Sequence, residues 1–270
     1  MILTVEELAV AMPDVSDLES CEPPMESPEH YKQLALLMAC LDWILQGRDD
    51  IFTAANLSVY YSEEQLTNKD FRGPDLFVVK DVKPRKRASW VVWHEDGRYP
   101  DFILELLSPS TSNIDKGLKK ELYQSKFRTP EYFWFSPITL EFAGFRLMAG
   151  KYEPIEPDDG GRLWSEVLGL SLGIWEGKLR FFRENGELVL TPEEIAIQQQ
   201  QRAEQQQQRA EQQQQRAEQQ QQRAEQQQQR AEQQQLEKEQ EQQKRLEAEA
   251  ALEELLQSLR DRGINPDDLV

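Results

Sequence analysis

The residues best suited to chemistry lie in three short segments in the middle of the chain. Asp75 enters a short apolar run, and Glu105 interrupts a second run that is otherwise almost wholly apolar. Lys119 follows Asp115 by four residues and precedes Tyr123 by four, a spacing that places all three on one face of a helix. These segments together offer carboxylates and an amine, the groups that bind a cation and a phosphate.

Asp75 and Glu105 define the chemistry that this set can perform. If the two apolar runs pair as strands, both carboxylates converge at one end of a sheet, and two such acids need a cation to remain ionised. Mg²⁺ or Mn²⁺ suits carboxylate oxygens, and Mg²⁺ keeps several of its waters. Such an ion can hold a phosphodiester, generate hydroxide and stabilise the leaving oxygen, while a nearby lysine orients water or neutralises developing charge.

Each of these side chains also has a plainer interpretation. Asp75 follows a proline and can cap a turn, and Glu105 can form a structural salt bridge because an unpaired buried charge is costly. Lys119 can lie on a solvated helix face. Asp101 repeats the Pro-Asp pattern and is an alternative cation ligand, but we expect it to act at the start of its strand. We expect Tyr123 to serve packing.

The apolar pattern predicts the elements that must position these residues. Helices are expected at 4–11, 30–46 and 113–126, with an irregular segment at 12–28. Strands are expected at 52–61, 76–79, 89–93, 102–107, 131–135, 142–148 and 179–182. The order of helix, strands, helix and strands predicts an α/β (α+β) domain with a mixed sheet.

A long helix is predicted after Thr191, which fits an N-cap position with Glu194 closing a capping box. From Arg202 the unit Arg-Ala-Glu-Gln-Gln-Gln-Gln repeats every seven residues, and the segment 246–259 ends the helix with an amphipathic leucine face. A heptad with alanine on one seam resembles a coiled coil, although alanine and glutamine make a weak seam. A solvated single helix, weak self-association and a disordered glutamine tract all remain open.

The amino-acid composition changes near the predicted start of the long helix. Aromatic and most β-branched residues precede about Ile197, so the first part can bury a core and the second cannot. We therefore divide the chain into an N-terminal segment 1–29, a domain 30–190 and a helical segment 191–270. Residues 1–197 contain 21 Lys and Arg against 34 Asp and Glu, a charge of −13, and the remainder adds 10 against 15, which gives the total of −18.

This acidic balance argues against a protein that coats nucleic acid through bulk positive charge. It leaves room for a local basic strip, and Lys83, Arg85, Lys86 and Arg87 form one directly after the Asp75 run. We predict that these four side chains contact a DNA backbone, with a solvated hairpin loop as the alternative.

The remaining features indicate a soluble cytoplasmic protein without a membrane partner. Two cysteines form no disulfide framework or metal motif, and the acidic N-terminus lacks the basic start of a signal peptide. No stretch approaches 18 apolar residues. The two histidines, His30 and His94, have no zinc-ligand spacing and are given no role.

The segment 100–137, PDFILELLSPSTSNIDKGLKKELYQSKFRTPEYFWFSP, resembles the signature of the Uma2 family, also called DUF820. That signature has Pro-Asp-x3-Glu, Ser-Pro-Ser-Thr, Asp-x3-Lys-x3-Tyr and Glu-Tyr-Trp, and Pro74-Asp75 matches an earlier Pro-Asp of the family. The resemblance covers about residues 30–185, and the tail 259–266 is similar to that of cyanobacterial members.

The resemblance implies a PD-(D/E)xK nuclease domain, with a restriction-endonuclease-like mixed sheet flanked by helices. It implies that Asp75 and Glu105 are metal ligands for Mg²⁺ or Mn²⁺. The superfamily lysine usually follows the second acid by two residues, where this chain has Leu107, so Lys119 is the candidate, with Lys116 and Lys120 as alternatives.

The implied function is a metal-dependent endonuclease acting on DNA, and RNA or another phosphodiester is not distinguished. The alternative is an inactive nuclease-fold interaction protein that acts through its C-terminal helix. Superfamily members often form dimers, so a homodimer aided by this helix is also expected.

Overall fold

The computed structural model describes residues 19–20, 27–62 and 73–261. The chain divides into two compact units, Met1–Ile197 and Gln198–Val270. The helix predicted at 4–11, most of the irregular segment at 12–28 and the end of the tail lie outside the described residues. No helix in the described ranges is long and apolar enough to cross a membrane.

The described ranges contain three main helices and eleven strands. The helices are α1 (Pro28–Ile44), α2 (112–127) and α3 (Pro192–Asp261), and a short 3₁₀ helix covers Val92–His94. Within α2, two π-helical stretches, Asp115–Lys119 and Tyr123–Phe127, alternate with α-helical turns. The strands are β1 (Ile51–Ala55), β2 (Val59–Tyr60), β3 (Leu76–Lys80), β4 (Trp90–Val91), β5 (Phe102–Leu106), β6 (Glu131–Phe135), β7 (Phe142–Met148), β8 (Lys151–Pro154), β9 (Leu163–Ser165), β10 (Leu170–Trp175) and β11 (Lys178–Phe182).

A six-stranded mixed sheet forms the centre of the first unit, in the order β1-β3-β5-β6-β7-β8. Strands β5 and β6 are parallel, with α2 between them in sequence, and the other neighbours are antiparallel. A three-stranded sheet, β11-β10-β9, and the pair β2-β4 complete the unit. The predicted α+β class with a mixed central sheet and flanking helices is confirmed.

The central sheet has a core on each face, and β5 contributes to both. Phe102, Leu104 and Leu106 join the core that includes the apolar face of α1. Ile103 and Leu107 join the opposite core, which includes Tyr123 and Phe127 of α2. Because side chains alternate along a strand, Glu105 faces the α2 side of the sheet.

Two strand predictions were too long. The run 52–61 forms two strands because Asn56 adopts a left-handed backbone conformation, with φ of 48°, between them. The run 89–93 forms only the two residues of β4 before the chain enters the 3₁₀ helix. A propensity for strand is weak evidence where a tight turn and packing decide the backbone.

The predicted start of α3 is confirmed. The Glu194 amide donates to the Thr191 hydroxyl at 3.2 Å, and the Thr191 amide donates to the Glu194 carboxylate at 2.8 Å. Arg180, which is 4% exposed, forms two hydrogen bonds to the same carboxylate. No described residue of α3 is buried, so its helical form comes from local interactions.

Candidate active site

The register between β3 and β5 brings Asp75 and Glu105 together. Leu76 pairs with Leu104, so Asp75, one residue before β3, lies opposite Glu105. The Leu106 amide donates to Asp75 Oδ2 at 2.6 Å, and the Asp75 amide donates to Glu105 Oε2 at 3.3 Å. These two hydrogen bonds from backbone amides fix both acids at one end of the strand pair.

Glu105 is fully buried and receives two further contacts from α2. The Tyr123 hydroxyl donates to Glu105 Oε1 at 2.8 Å, and Lys119 Nζ lies 2.9 Å from the same oxygen. Glu105 is therefore the residue on which the sheet and the helix converge.

Lys119 contacts a second acid, Asp115. Lys119 Nζ lies 3.1 Å from Asp115 Oδ1, and the two side chains are 14% and 2% exposed. The approach does not make a hydrogen bond, and Asp115 Oδ1 accepts none from any described residue. The Tyr132 hydroxyl donates to the Asp115 carbonyl at 2.9 Å, which ties this turn of α2 to β6.

One ammonium is too little charge for three acids in this buried cluster. Burial, with Asp75 and Asp115 nearby, raises the pKa of Glu105 well above its usual value of 4.5, and Lys119 only partly opposes this. Burial likewise raises the pKa of Asp75, against the effects of Lys119 and the Leu106 amide. Burial alone would lower the pKa of Lys119, but the three acids outweigh it and raise that pKa.

The donor chemistry of this cluster fits a hard divalent cation. Three carboxylates and one ammonium leave a net charge of −2 when all are ionised, since −3 and +1 sum to −2. Carboxylate oxygens are the ligands that Mg²⁺ and Mn²⁺ prefer. In the described ranges, however, no group of three or more acidic, histidine or cysteine side chains has the geometry of a metal site. The ammonium of Lys119 lies on Glu105, so a cation there requires Lys119 to move.

The structure separates Lys119 from the two alternative lysines. Lys116 Nζ pairs with Glu141 at 2.6 Å, and Lys120 Nζ lies 3.3 Å from the centre of the Phe145 ring. Of these three lysines, Lys119 is the one that contacts Glu105.

The structure also bears on the sequence predictions for Asp101 and Tyr123. Asp101 accepts a hydrogen bond from the Lys80 amide at 2.7 Å, which confirms its predicted role at the start of a strand. Tyr123 packs against Phe127 and Tyr132, as predicted. Its hydroxyl also donates a hydrogen bond to Glu105, a contact that we did not predict from the sequence. The Asp-x3-Lys-x3-Tyr spacing was the signal for Asp115 and Tyr123, since it put both on the face that carries Lys119.

The basic strip does not join this cluster. It follows Lys80, at the opposite end of β3 from Asp75. Lys83, Arg85 and Lys86 are exposed.

Arg85 also pairs with Glu95, at 2.9 Å, but Arg87 differs from the other three side chains of the strip because it is almost fully buried. Its side chain is 5% exposed and makes two hydrogen bonds to Glu95, at 2.7 and 3.0 Å. The guanidinium also lies over the rings of Phe52 and Trp90. Little of this side chain is therefore accessible to a ligand.

The chain belongs to the Uma2 family, described as "Putative restriction endonuclease", which matches residues 18–182. A similar solved structure is described as a "putative nuclease belonging to DUF820" from Anabaena variabilis. The two chains are 14% identical, the match covers 62% of this chain and 91% of the other, and the TM-score is 0.40. A search of curated proteins gives no match.

Proposed function

We propose that this protein is a metal-dependent endonuclease that hydrolyses phosphodiester bonds in DNA. The observation that carries the proposal is the convergence of Asp75, Glu105 and Lys119 from β3, β5 and α2 onto one buried cluster. A fully buried carboxylate is costly, and such groups are concentrated at functional sites. Membership of the Uma2 family, described as "Putative restriction endonuclease", supports the same assignment.

Each residue of the cluster has a distinct role in this proposal. Asp75 and Glu105 would hold Mg²⁺ or Mn²⁺, which supplies an activated water and neutralises charge on the phosphate. Lys119 stabilises the negative charge that develops on the phosphate oxygens, a role that requires the ammonium form which the surrounding acids maintain. Tyr123 orients Glu105 through its hydroxyl.

The exposed basic side chains Lys83, Arg85 and Lys86 are proposed to contact the DNA backbone away from the cleaved bond. Asp75 and Asp81, the first residue of this loop, flank the five residues of β3 and are six positions apart, so roughly 20 Å of extended chain separates them. That distance corresponds to about six base pairs along a duplex. Arg87 supports these contacts indirectly by holding the loop against Glu95.

A second proposal concerns assembly. The heptad repeat of α3 supports pairing of two copies through this helix, because a seven-residue period keeps one seam facing a partner. Light scattering of the full chain against a chain ending at residue 197 tests this. If both proteins have the same number of chains per particle at the same concentration, the pairing proposal is contradicted.

The function is tested by incubating supercoiled plasmid, single-stranded DNA and RNA with the full protein and Mg²⁺ or Mn²⁺. We expect cutting by wild type and losses of roughly a hundredfold or more for Asp75→Asn, Glu105→Gln and Lys119→Met. Lys116→Met is the matched control, because this lysine lies on the same helix but pairs with Glu141.

The outcomes separate the candidate functions. If the protein cuts RNA but neither form of DNA, its substrate is RNA and the proposed action on DNA is wrong. No cutting, together with no Mn²⁺ binding by calorimetry, would overturn it. That result would favour an interaction protein that acts through α3.

A further inference from the structure

Lys119 has two acidic partners in the cluster rather than one. Its Nζ lies 2.9 Å from Glu105 Oε1 and 3.1 Å from Asp115 Oδ1. The Asp115 side chain is 2% exposed, and its Oδ1 accepts no hydrogen bond from the described residues. This oxygen therefore already pairs with the ammonium by charge and has no competing hydrogen-bond donor among the described residues.

We propose that Asp115 is a second binding position for the Lys119 ammonium, which takes the lysine when a divalent cation binds Glu105. Lysine and cation thus exchange places at Glu105, and Asp115 is a positioning residue rather than a metal ligand. This inference rests on the proposed cation site at Asp75 and Glu105.

The geometry makes this exchange a short movement. Asp115 and Lys119 lie four residues apart within one π-helical stretch, so they share a helix face. The hydrogen bond from Tyr132 to the Asp115 carbonyl holds that stretch in place. The ammonium already lies between the two acids, so a rotation of the lysine side chain is sufficient.

The charges explain why the second position is needed. A buried ammonium without a counterion is costly, so a lysine with Glu105 as its sole partner would oppose the cation. Asp115 keeps the displaced lysine paired and charged beside the site. The lysine then remains available to the phosphate, whereas escape to solvent would remove it.

Calorimetric titration of the full-length protein with Mn²⁺ alone tests the inference without DNA. Lys119→Met should tighten Mn²⁺ binding because it removes the competing cation. Asp115→Asn should weaken Mn²⁺ binding, and we expect this loss to be about tenfold greater with Lys119 present than in the Lys119→Met background. Asp115→Glu keeps a carboxylate and should bind Mn²⁺ within a few-fold of wild type.

Two results would overturn the inference. An equal loss from Asp115→Asn in both backgrounds would show that Asp115 acts directly on the cation, as a ligand or a charge. Weaker binding by Lys119→Met would show that the lysine does not compete. Thermal unfolding of each variant comes first, and Asp115→Glu keeps the test decisive if Asp115→Asn does not fold.

The test is distinguishable from that of the proposed function. The expected Mn²⁺ affinities without any DNA cutting would support the inference and contradict the endonuclease. DNA cutting by wild type without the expected coupling between Asp115→Asn and Lys119→Met would support the endonuclease and contradict the inference. No Mn²⁺ binding by any variant would overturn both the inference and the cation site.

Discussion

The two units of this chain obtain their structure in opposite ways. In the first unit, the acids of the site lie 30 residues apart in sequence and meet through the pairing of β3 with β5. In the second unit, all described side chains except Leu256 and Leu259 are exposed, and the helix continues without a core. The comparison shows that a long regular element can be specified locally, whereas a buried chemical site needs contacts distant in sequence.

The repeat of α3 supplies its local interactions at regular intervals. Glutamine amides donate to a glutamate four residues later, as in Gln207 to Glu211 at 3.0 Å and Gln228 to Glu232 at 3.0 Å. Pairs at this spacing stabilise a helix by roughly 0.2–0.5 kcal/mol each. Their sum over many heptads maintains a helix that has no buried residue.

The largest expected effect contrasts a core side chain with a helix side chain. Phe133 is fully buried and stacks on Phe102, so Phe133→Ala should lower the free energy of unfolding by about 3–5 kcal/mol. Leu246 is 54% exposed, and Leu246→Ala should change the free energy of unfolding by less than about 0.5 kcal/mol. Chemical denaturation measures both, and similar losses would contradict the contrast between the units.

A proline in the repeat tests whether the units are independent. Ala217→Pro should cost about 3 kcal/mol locally, because proline removes a helix hydrogen bond and clashes with the preceding turn. We expect lower helical ellipticity by circular dichroism. The unfolding midpoint of the first unit, measured by tryptophan fluorescence, should not change. A lower midpoint would show that the first unit depends on an intact α3.

The pH dependence of stability should reveal the titration of Glu105, one of the buried acids of the first unit. The pKa of Glu105 is raised in the folded state, so its stabilising contribution is complete below about pH 4.5 and is lost as pH rises through the folded pKa. Glu105→Gln cannot titrate, so its free energy of unfolding should fall less steeply than that of wild type above about pH 4.5.

Denaturation at several pH values between about 5 and 8 measures that difference. Glu141→Gln is the control for the loss of one carboxylate, because this glutamate is 47% exposed. Parallel curves for wild type and Glu105→Gln would contradict the raised pKa.

The smallest effect concerns the start of α3, where local and distant contacts combine. Thr191→Ala removes the hydroxyl that caps the Glu194 amide and should cost about 1 kcal/mol. Thr191→Ser keeps the hydroxyl and should behave as wild type. Hydrogen exchange of the amides in the first turn measures the loss, and equal protection in both variants would show that the Arg180 contact with Glu194 alone holds this turn.

Much of this organisation follows from local sequence signals. Strand β6 and strand β7 begin and end where the apolar runs predicted, and α1 lies within two residues of its predicted bounds. Thr191 and Glu194 carried enough information to locate the start of α3. Side-chain period and capping act over a few residues, so the sequence displays them directly.

The tertiary structure decided which side chains form the site. The sequence predicted Asp75, Glu105 and Lys119, with Lys116 and Lys120 as alternatives, and the structure shows that Lys119 is the one of these lysines in contact with Glu105. Contacts of Tyr123 and Asp115 with the cluster depend on how α2 lies on the sheet and on its π-helical turns. A π turn shifts the angular position of every later side chain, and no local signal in this segment predicted it.

The sequence by itself therefore determined most of the elements, the acidic and basic residues available to a site, and the helix after Thr191. The register of β3 against β5, the burial of Glu105 and the position of Lys119 between two acids came from the tertiary structure. The physical reason is that these features depend on packing between residues 4 to 44 positions apart in sequence, which signals acting over a few residues do not encode.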